Sequence, residues 1–554
     1  MWRRLAGALA AVAVAALAAP AAPAAPAAQA SPERHTDRWL VVLERPGHAH
    51  SPGVVDRLID RTGMRRAGPG APSLGVLTLR GPAQAIARLR RDPAVERVSR
   101  EWVRELRRVP NDPALSAPET EYAVAAGTPI QWALERHGFP AAWDVTTGAE
   151  ARVAVLDTGV DASHPDLAGK ILTAESIDGS DARVDEDGHG THVAGLACAS
   201  TDDGVGVAGA GWGCGLHIVK LGADLTGGIP DEDIVRGLEL AIAHSPHAIN
   251  MSFGGGPDSA ALGAAIQAAY DRGIVLVAAA SNANQGDRQG APASMLQPGD
   301  AANLDAGRGL VVTAADFDDT HAGTGRGPGI SLAAYGFYDE RRGPPGLIST
   351  YPGAFTLREV PACARLALPI CSRRDIGGSN AYAYLQGTSM ATPHVTALAA
   401  LIGALNPHLT AAEKIRYVKE TARRAGGWTP DLGWGILDAG RAVDVARRVD
   451  RLAPSSRVRV AKRRGRRVRL RFRMSDPGAE RGLVPTGVTR IVLYGRRVGK
   501  PAKNLRRYRP RRGVVIRLRP GRWRLWTRAA DAAGNVELSP RRPDARLRVR
   551  KRRP

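Results

Sequence analysis

Gly387-Thr388-Ser389-Met390-Ala391-Thr392-Pro393-His394-Val395 runs directly into the apolar stretch Thr396-Ala397-Leu398-Ala399-Ala400-Leu401-Ile402-Gly403-Ala404-Leu405. Small residues before the serine and a long apolar run after it predict a buried helix with Ser389 in its first turn, where unpaired N–H groups point outward. That position suits a nucleophile. A hydroxyl is weak on its own, so it needs a base, a group that orients the base, and donors for the oxyanion that forms.

Upstream of this stretch, from Trp132 on, short β-branched runs alternate with helical segments, which predicts an α/β fold with a mostly parallel sheet covered by helices. Strands are expected at 153–156, 216–220, 248–252, 274–279 and 311–314, and in such sheets functional residues gather at the strands' carboxyl ends. Asp157 follows the first of them, in Asp157-Thr158-Gly159. His189 sits between glycines in Asp187-Gly188-His189-Gly190-Thr191-His192-Val193-Ala194-Gly195, opening a helix expected to run through Cys198. Ser252-Phe253-Gly254 leaves the third strand as a flat glycine edge, and Asn282 ends the fourth with an amide able to donate to an oxyanion.

Taken singly, these motifs have other readings. Asp-Thr-Gly also opens aspartic protease sites, but those need a second copy or a homodimer; no second copy occurs, and the continuation Val160-Asp161-Ala162-Ser163-His164 is too polar for a buried strand. His189 and His192 have H-x-x-H spacing without the intervening glutamate of zinc proteases, so His192 reads as structural. A wall-binding protein using the domain as a scaffold is the remaining competitor, and the intact set Asp157, His189, Asn282 and Ser389 argues against it.

As an ordered group, Asp157, His189 and Ser389, with Pro110-Asn111-Asp112-Pro113, His164-Pro165-Asp166-Leu167 and Gly206-Val207-Ala208-Gly209, make residues 109–446 resemble the subtilisin-like serine protease family, in detail its thermitase-type members. The resemblance implies a serine endopeptidase in which Ser389 attacks the peptide carbonyl, His189 moves its proton and Asp157 orients the imidazole. It further implies an oxyanion hole from Asn282 and the Ser389 N–H, and a substrate strand paired to Ser252, Phe253 and Gly254. Relatives bind structural calcium, here implying Asp112, Asp166 and Asp203 with carbonyls of Ser200, Val205 and Val207. Ser281 departs from the glycine usual before the asparagine, and 283–310 and 336–382 are longer than in compact relatives, so specificity does not transfer.

At 554 residues several domains are expected. Residues 1–30 carry Arg3 and Arg4, an alanine-rich apolar stretch and Ala28-Gln29-Ala30, the form of a signal peptide; no later segment is expected to be long and apolar enough to span a membrane, so the protein is read as secreted and extracellular. Residues 31–108 alternate strand and helix in a ferredoxin-like outline, and the resemblance makes them a propeptide removed by self-processing between about Glu105 and Pro110. The catalytic domain is expected over 109–450. The four cysteines allow three pairings, of which the short-range one joins Cys198 to Cys214 and Cys363 to Cys371.

Charge divides the chain. Residues 454–554 hold 34 Lys+Arg against 5 Asp+Glu, whereas 109–453 hold 25 against 40. Period-two alternation at 468–474, 514–518 and 523–526 predicts a basic β-sandwich of about seven strands over 451–554, immunoglobulin-like in outline. Its cationic face fits either an external polyanion, such as a cell-wall polymer, or the acidic central region of the same chain. Polypeptide substrates and a monomeric state complete the expectation.

Overall fold

The computed structural model describes residues 35–45, 51–102, 108–222, 228–283, 289–298, 300–338, 343–359, 373–423, 426–476, 487–510, 513–531, 533, 535–540 and 542–550. The signal-like segment, residues 105–107 of the expected processing region, Cys363 and Cys371 lie outside them. The chain divides into two compact units, Met1–Leu106 and Arg107–Pro554.

In the first unit the strand His35–Leu43 pairs antiparallel with Val76–Arg80 on one side and Val95–Trp102 on the other, and Arg65–Arg66 extends the Val76 edge. This order is that of a ferredoxin-like sheet. The helix Pro52–Thr62 begins with a proline at its first turn and ends on Gly63 in the left-handed region, the usual start and stop signals. Its Val55 and Leu58 join Val41, Leu77, Leu79 and Leu89 in one core.

The second unit is organised by a seven-stranded parallel sheet in the order Leu332–Tyr335, Gly309–Ala315, Val275–Ala279, Ala248–Met251, Arg152–Asp157, Gly215–Lys220, Ile171–Ser176. The central strands are buried on both faces, so they read as unbroken apolar runs, and all five expected strands form. The two edge strands were not anticipated. Ile171–Ser176 is half-buried along most of its length and mixes polar with apolar residues, and Leu332–Tyr335 is only four residues long.

The helix Thr388–Leu405 packs across this sheet and against the helix His189–Cys198. Its 18 residues are apolar and long enough to cross a membrane, contrary to the sequence expectation, yet 94% of that window is buried inside the protein. The sheet and the surrounding helices supply the apolar surroundings that a bilayer would otherwise provide. The expected disulfide joins Cys198 to Cys214. Closing a loop of that size is worth about 3 kcal/mol in the chain-entropy account.

Beyond the helix Ala439–Arg448 the chain forms a sandwich of two sheets, Ser455–Arg464, Arg467–Ser475, Gly513–Arg517 and Lys503–Tyr508, Val488–Arg497, Gly521–Asp531, Ala545–Val549. Inward-facing Val458, Leu470, Phe472, Leu493, Trp523 and Leu525 give it a core of its own. At the junction Asp450, Asp476 and Asp531 place carboxylate oxygens within 4.8 Å of one another, and Asn535 donates both to the Asp450 carbonyl and to Asp531. Burial, then repulsion from its two neighbours, raises the Asp476 pKa.

Candidate active site

The strand Arg152–Asp157 is buried from Val153 onward and delivers Asp157, fully buried, to its carboxyl end. His189 begins the helix that follows, and its Nδ1 lies 2.7 Å from Asp157 Oδ1, a hydrogen bond in the tautomer protonated at Nδ1. The same Oδ1 accepts the Thr158 N–H at 2.9 Å, while the buried Oδ2 has no partner. An imidazole held in this way keeps its Nε2 as the acceptor, the tautomer a general base requires.

Ser389 is the second residue of the helix Thr388–Leu405 and is 8% exposed, as is His189. Pro393 lies four residues on. It has no N–H to give the Ser389 carbonyl, which would be its helical partner. Ser252 supplies the missing donor: its hydroxyl bonds the Ser389 carbonyl at 2.9 Å, and the Ser389 hydroxyl donates back to the Ser252 carbonyl at 3.0 Å. Asn250 Nδ2 in turn donates to Ser252 Oγ, tying the serine helix to the strand Ala248–Met251.

Asn282 reaches the same helix start. Its Oδ1 accepts the N–H and hydroxyl of Thr388, both at 2.9 Å, which leaves the Nδ2 hydrogens as its donors. The preceding Ser281 is braced by Gln289, which accepts the Ser281 N–H at 2.8 Å. Phe253 and Gly254 leave the strand end half-buried and exposed, so this backbone borders the site as an open edge.

Several supporting residues were not found by sequence reasoning. Asp185 is buried and accepts from the Thr158 hydroxyl, the Asp187, Gly188 and Thr191 N–H groups and the Thr191 hydroxyl at 2.6–3.2 Å. It thereby binds the turn after Asp157 to the turn that opens the His189 helix. Burial raises its pKa against these donors. The available signal was a carboxylate just ahead of a helix start, where it meets unpaired N–H groups. Arg358, in the long 336–382 region, donates twice to Asp187 Oδ1, at 2.7 and 3.0 Å, and Asp187 Oδ1 accepts the His189 N–H. Gly188, at φ +97, has to be glycine because a Cβ there would lie 2.5 Å from the Tyr351 ring.

His192 is fully buried, with Nε2 near the carbonyls of Leu347 and Ala383, which places it in the core. Of the residues expected to hold calcium, Asp112, Asp166 and Asp203 lie close enough at a second locus to repel one another. Asp112 and Asp166 are fully buried there, Asp112 accepts the Asp202 N–H, Asp166 Oδ2 accepts the Val207 N–H, and Asp166 Oδ1 has no partner. Burial, with repulsion from Asp203 and Asp112, pushes the Asp166 carboxyl up to about 7. A Cβ on Gly206, at φ +43, would lie 2.0 Å from the Tyr382 hydroxyl and 2.3 Å from Asp166 Oδ2, so glycine lets both pack against this turn.

A parallel sheet whose carboxyl ends collect a carboxylate–imidazole pair, beside a serine held at a helix start, defines an α/β serine hydrolase. Likeness to known proteins makes the class specific. The subtilase family profile matches residues 148–435. The chain is 33% identical over 332 residues to an alkaline protease of Alkalihalobacillus alcalophilus, covering 59% of this chain and 74% of the relative. It is 33% identical over 313 residues to subtilisin Savinase of Lederbergia lenta (56% and 97%) and 29% identical over 337 residues to thermitase of Thermoactinomyces vulgaris (60% and 99%). A solved structure of a protease from Pseudoalteromonas arctica PAMC 21717 aligns with 61% of this chain and 99% of its own, at 29% identity and a TM-score of 0.46. The chain belongs to the subtilase family and is a serine endopeptidase, a hydrolase of peptide bonds in polypeptides.

Proposed function

We propose that the protein is a secreted, self-processed endopeptidase using Asp157, His189 and Ser389 as its triad. The observation that carries this reading is the 2.7 Å contact between His189 Nδ1 and the buried Asp157 carboxylate, at the end of the strand that adjoins Ala248–Met251, to whose end Ser389 is bonded through Ser252. Ser389 Oγ, now on the Ser252 carbonyl, has to leave that partner for the imidazole when substrate binds, a tightening of the kind apo sites undergo. His189 takes the hydroxyl proton as Oγ attacks the carbonyl, then returns it to the leaving amine; Asp157 stabilises the imidazolium between these steps. Labelling by a fluorophosphonate tests the assignment: modification at Ser389 is expected, and an unlabelled active enzyme would overturn it.

The developing oxyanion receives Asn282 Nδ2 and the Ser389 N–H, donors fixed in advance by the Thr388 contacts. Asn282→Ala is expected to lower kcat by about 10²–10³, the loss known for the equivalent donor in subtilisin, with little change in KM. Substrate backbone pairs with Ser252, Phe253 and Gly254 as an added strand. Residues 1–30 act as the signal, 31–108 as the propeptide, 109–450 as the catalytic domain and 451–554 as the basic C-terminal domain, which holds the monomeric enzyme at an anionic extracellular surface.

The donor set at Asp112, Asp166 and Asp203, with carbonyls of Ser200, Val205 and Val207, is all oxygen and fits calcium; the buried, unpartnered Asp166 Oδ1 supports it. The ion supplies the positive charge that buried carboxylates there otherwise lack. Chelation is therefore expected to lower the thermal midpoint, and Asp166→Ala to remove the response. With calcium 100-fold above its Kd the stabilisation is about 2.7 kcal/mol. An equal midpoint in calcium and chelator would sink the assignment.

A further inference from the structure

The sandwich sheet Ser455–Arg464, Arg467–Ser475, Gly513–Arg517 alternates along Ser455–Val460 and Arg467–Phe472, burying Val458, Val468, Leu470 and Phe472 and turning arginines outward; past a bulge after Val460 the residues 461–464 are all exposed. Its register sets Arg457 opposite Arg473, Arg459 opposite Arg471, and Arg467 opposite Arg517, all six exposed. Like charges directly opposite one another destabilise a sheet. Among the described residues none of the six meets a carboxylate, although the acidic central region belongs to the same compact unit. Among the described residues, then, neutralisation within the chain does not account for the charge.

Protection of a sheet edge does not explain it either. Edge strands carry charges to block pairing with other chains, but Arg467–Ser475 is the central strand, paired on both sides, and still presents four exposed arginines. Alternate residues along it repeat at roughly 6.7 Å and neighbouring strands at roughly 4.8 Å, a regular two-dimensional grid of guanidinium groups. Each guanidinium matches a phosphate oxygen pair. No aromatic side chain lies on these three strands' outer face; the stacked pair Tyr494 and Trp526 belongs to the other sheet. Single-stranded nucleic acids are held by aromatic stacking as well as charge, so the surface suits a phosphate polymer without bases.

We propose that this face binds a linear polyol-phosphate polymer of the bacterial cell envelope, in which phosphodiesters linked through short polyols run along the arginine rows. The inference rests on the anionic-surface reading above and specifies its partner and its face. The test uses full-length Ser389→Ala protein and poly(glycerol phosphate), with binding measured at 50 and 200 mM salt. Replacing Arg457, Arg459, Arg471 and Arg473 together by Gln is expected to weaken binding at least tenfold at the lower salt and to reduce the log–log salt slope by about 3, near 0.7 for each phosphate no longer neutralised. The unliganded variant is expected to melt higher than its parent, since it sheds the opposed charges, and the polymer to stabilise only the parent. A control with Arg490, Arg507, Arg522 and Arg524 changed to Gln keeps its binding. Equal loss in both variants overturns the choice of face while leaving the anionic-surface reading standing. Preference for poly(dT) through the same four arginines overturns the choice of polymer. No binding to any anionic polymer overturns both readings.

Discussion

Ser389→Ala is expected to lower kcat by about 10⁶, the scale of loss when the equivalent serine is removed in subtilisin, a member of the same family. The variant should also accumulate unprocessed, because cleavage near residue 108 is proposed to be the enzyme's own work. The loss is chemical rather than structural. Removing the hydroxyl leaves the Ser252 carbonyl without the Ser389 donor at a cost of about 1 kcal/mol, small against a total stability of about 5–15 kcal/mol. The Ser252 hydroxyl still reaches the Ser389 carbonyl, so the helix start remains anchored. Peptide hydrolysis, intact mass and thermal midpoint, measured on wild type and variant together, check this. Processing of the variant at the wild-type site would end the self-cleavage reading, and residual activity above about a hundredth of wild type would end the nucleophile assignment.

Asp157→Asn is expected to cost about 10⁴ in kcat with the fold intact, the loss an amide produces at this place in a serine triad. The carboxylate oxygen facing His189 Nδ1 also takes the Thr158 N–H, so an asparagine that keeps its carbonyl oxygen there has little freedom to rearrange. One that turns its amide toward the imidazole imposes the wrong tautomer, and in either case the imidazolium loses its counter-charge. The double variant with Ser389→Ala should be no slower than Ser389→Ala alone, because the residues act as one unit. A loss below tenfold, or additive losses in the double variant, would count against the triad.

The arrangement of these groups explains how much of the site could be read in advance. Asp157, His189 and Ser389 each close a strand or open a helix, and Asn282 lies three residues past the end of Val275–Ala279 rather than on it; such positions carry local signals: a β-branched run that stops, a glycine pair, a helix that starts. Asp185 and Arg358 carry none of comparable strength, because what they do depends on partners far along the chain: Thr158 for one, Asp187 for the other. Ser252 was anticipated as substrate edge. Its reciprocal bonds with Ser389 follow from Pro393 lacking an N–H, a fact visible in the sequence whose consequence needed the strand Ala248–Met251 to lie beside the helix.

Periodicity and end signals in the sequence determined the five central strands, the two catalytic-region helices and the basic sandwich, because each is written in short-range pattern and burial on known faces, whereas the Cys198–Cys214 bond was one of three pairings the sequence allowed. Only the tertiary structure decided that Thr388–Leu405 lies in a protein core rather than a membrane, since both environments select the same apolar composition. It alone brought Asp450, Asp476 and Asp531 together at the start of the sandwich. It also decided that the arginine face meets no carboxylate among the described residues: the sign of a charge belongs to the residue, but whether another charge reaches it is a property of how the chain closes on itself.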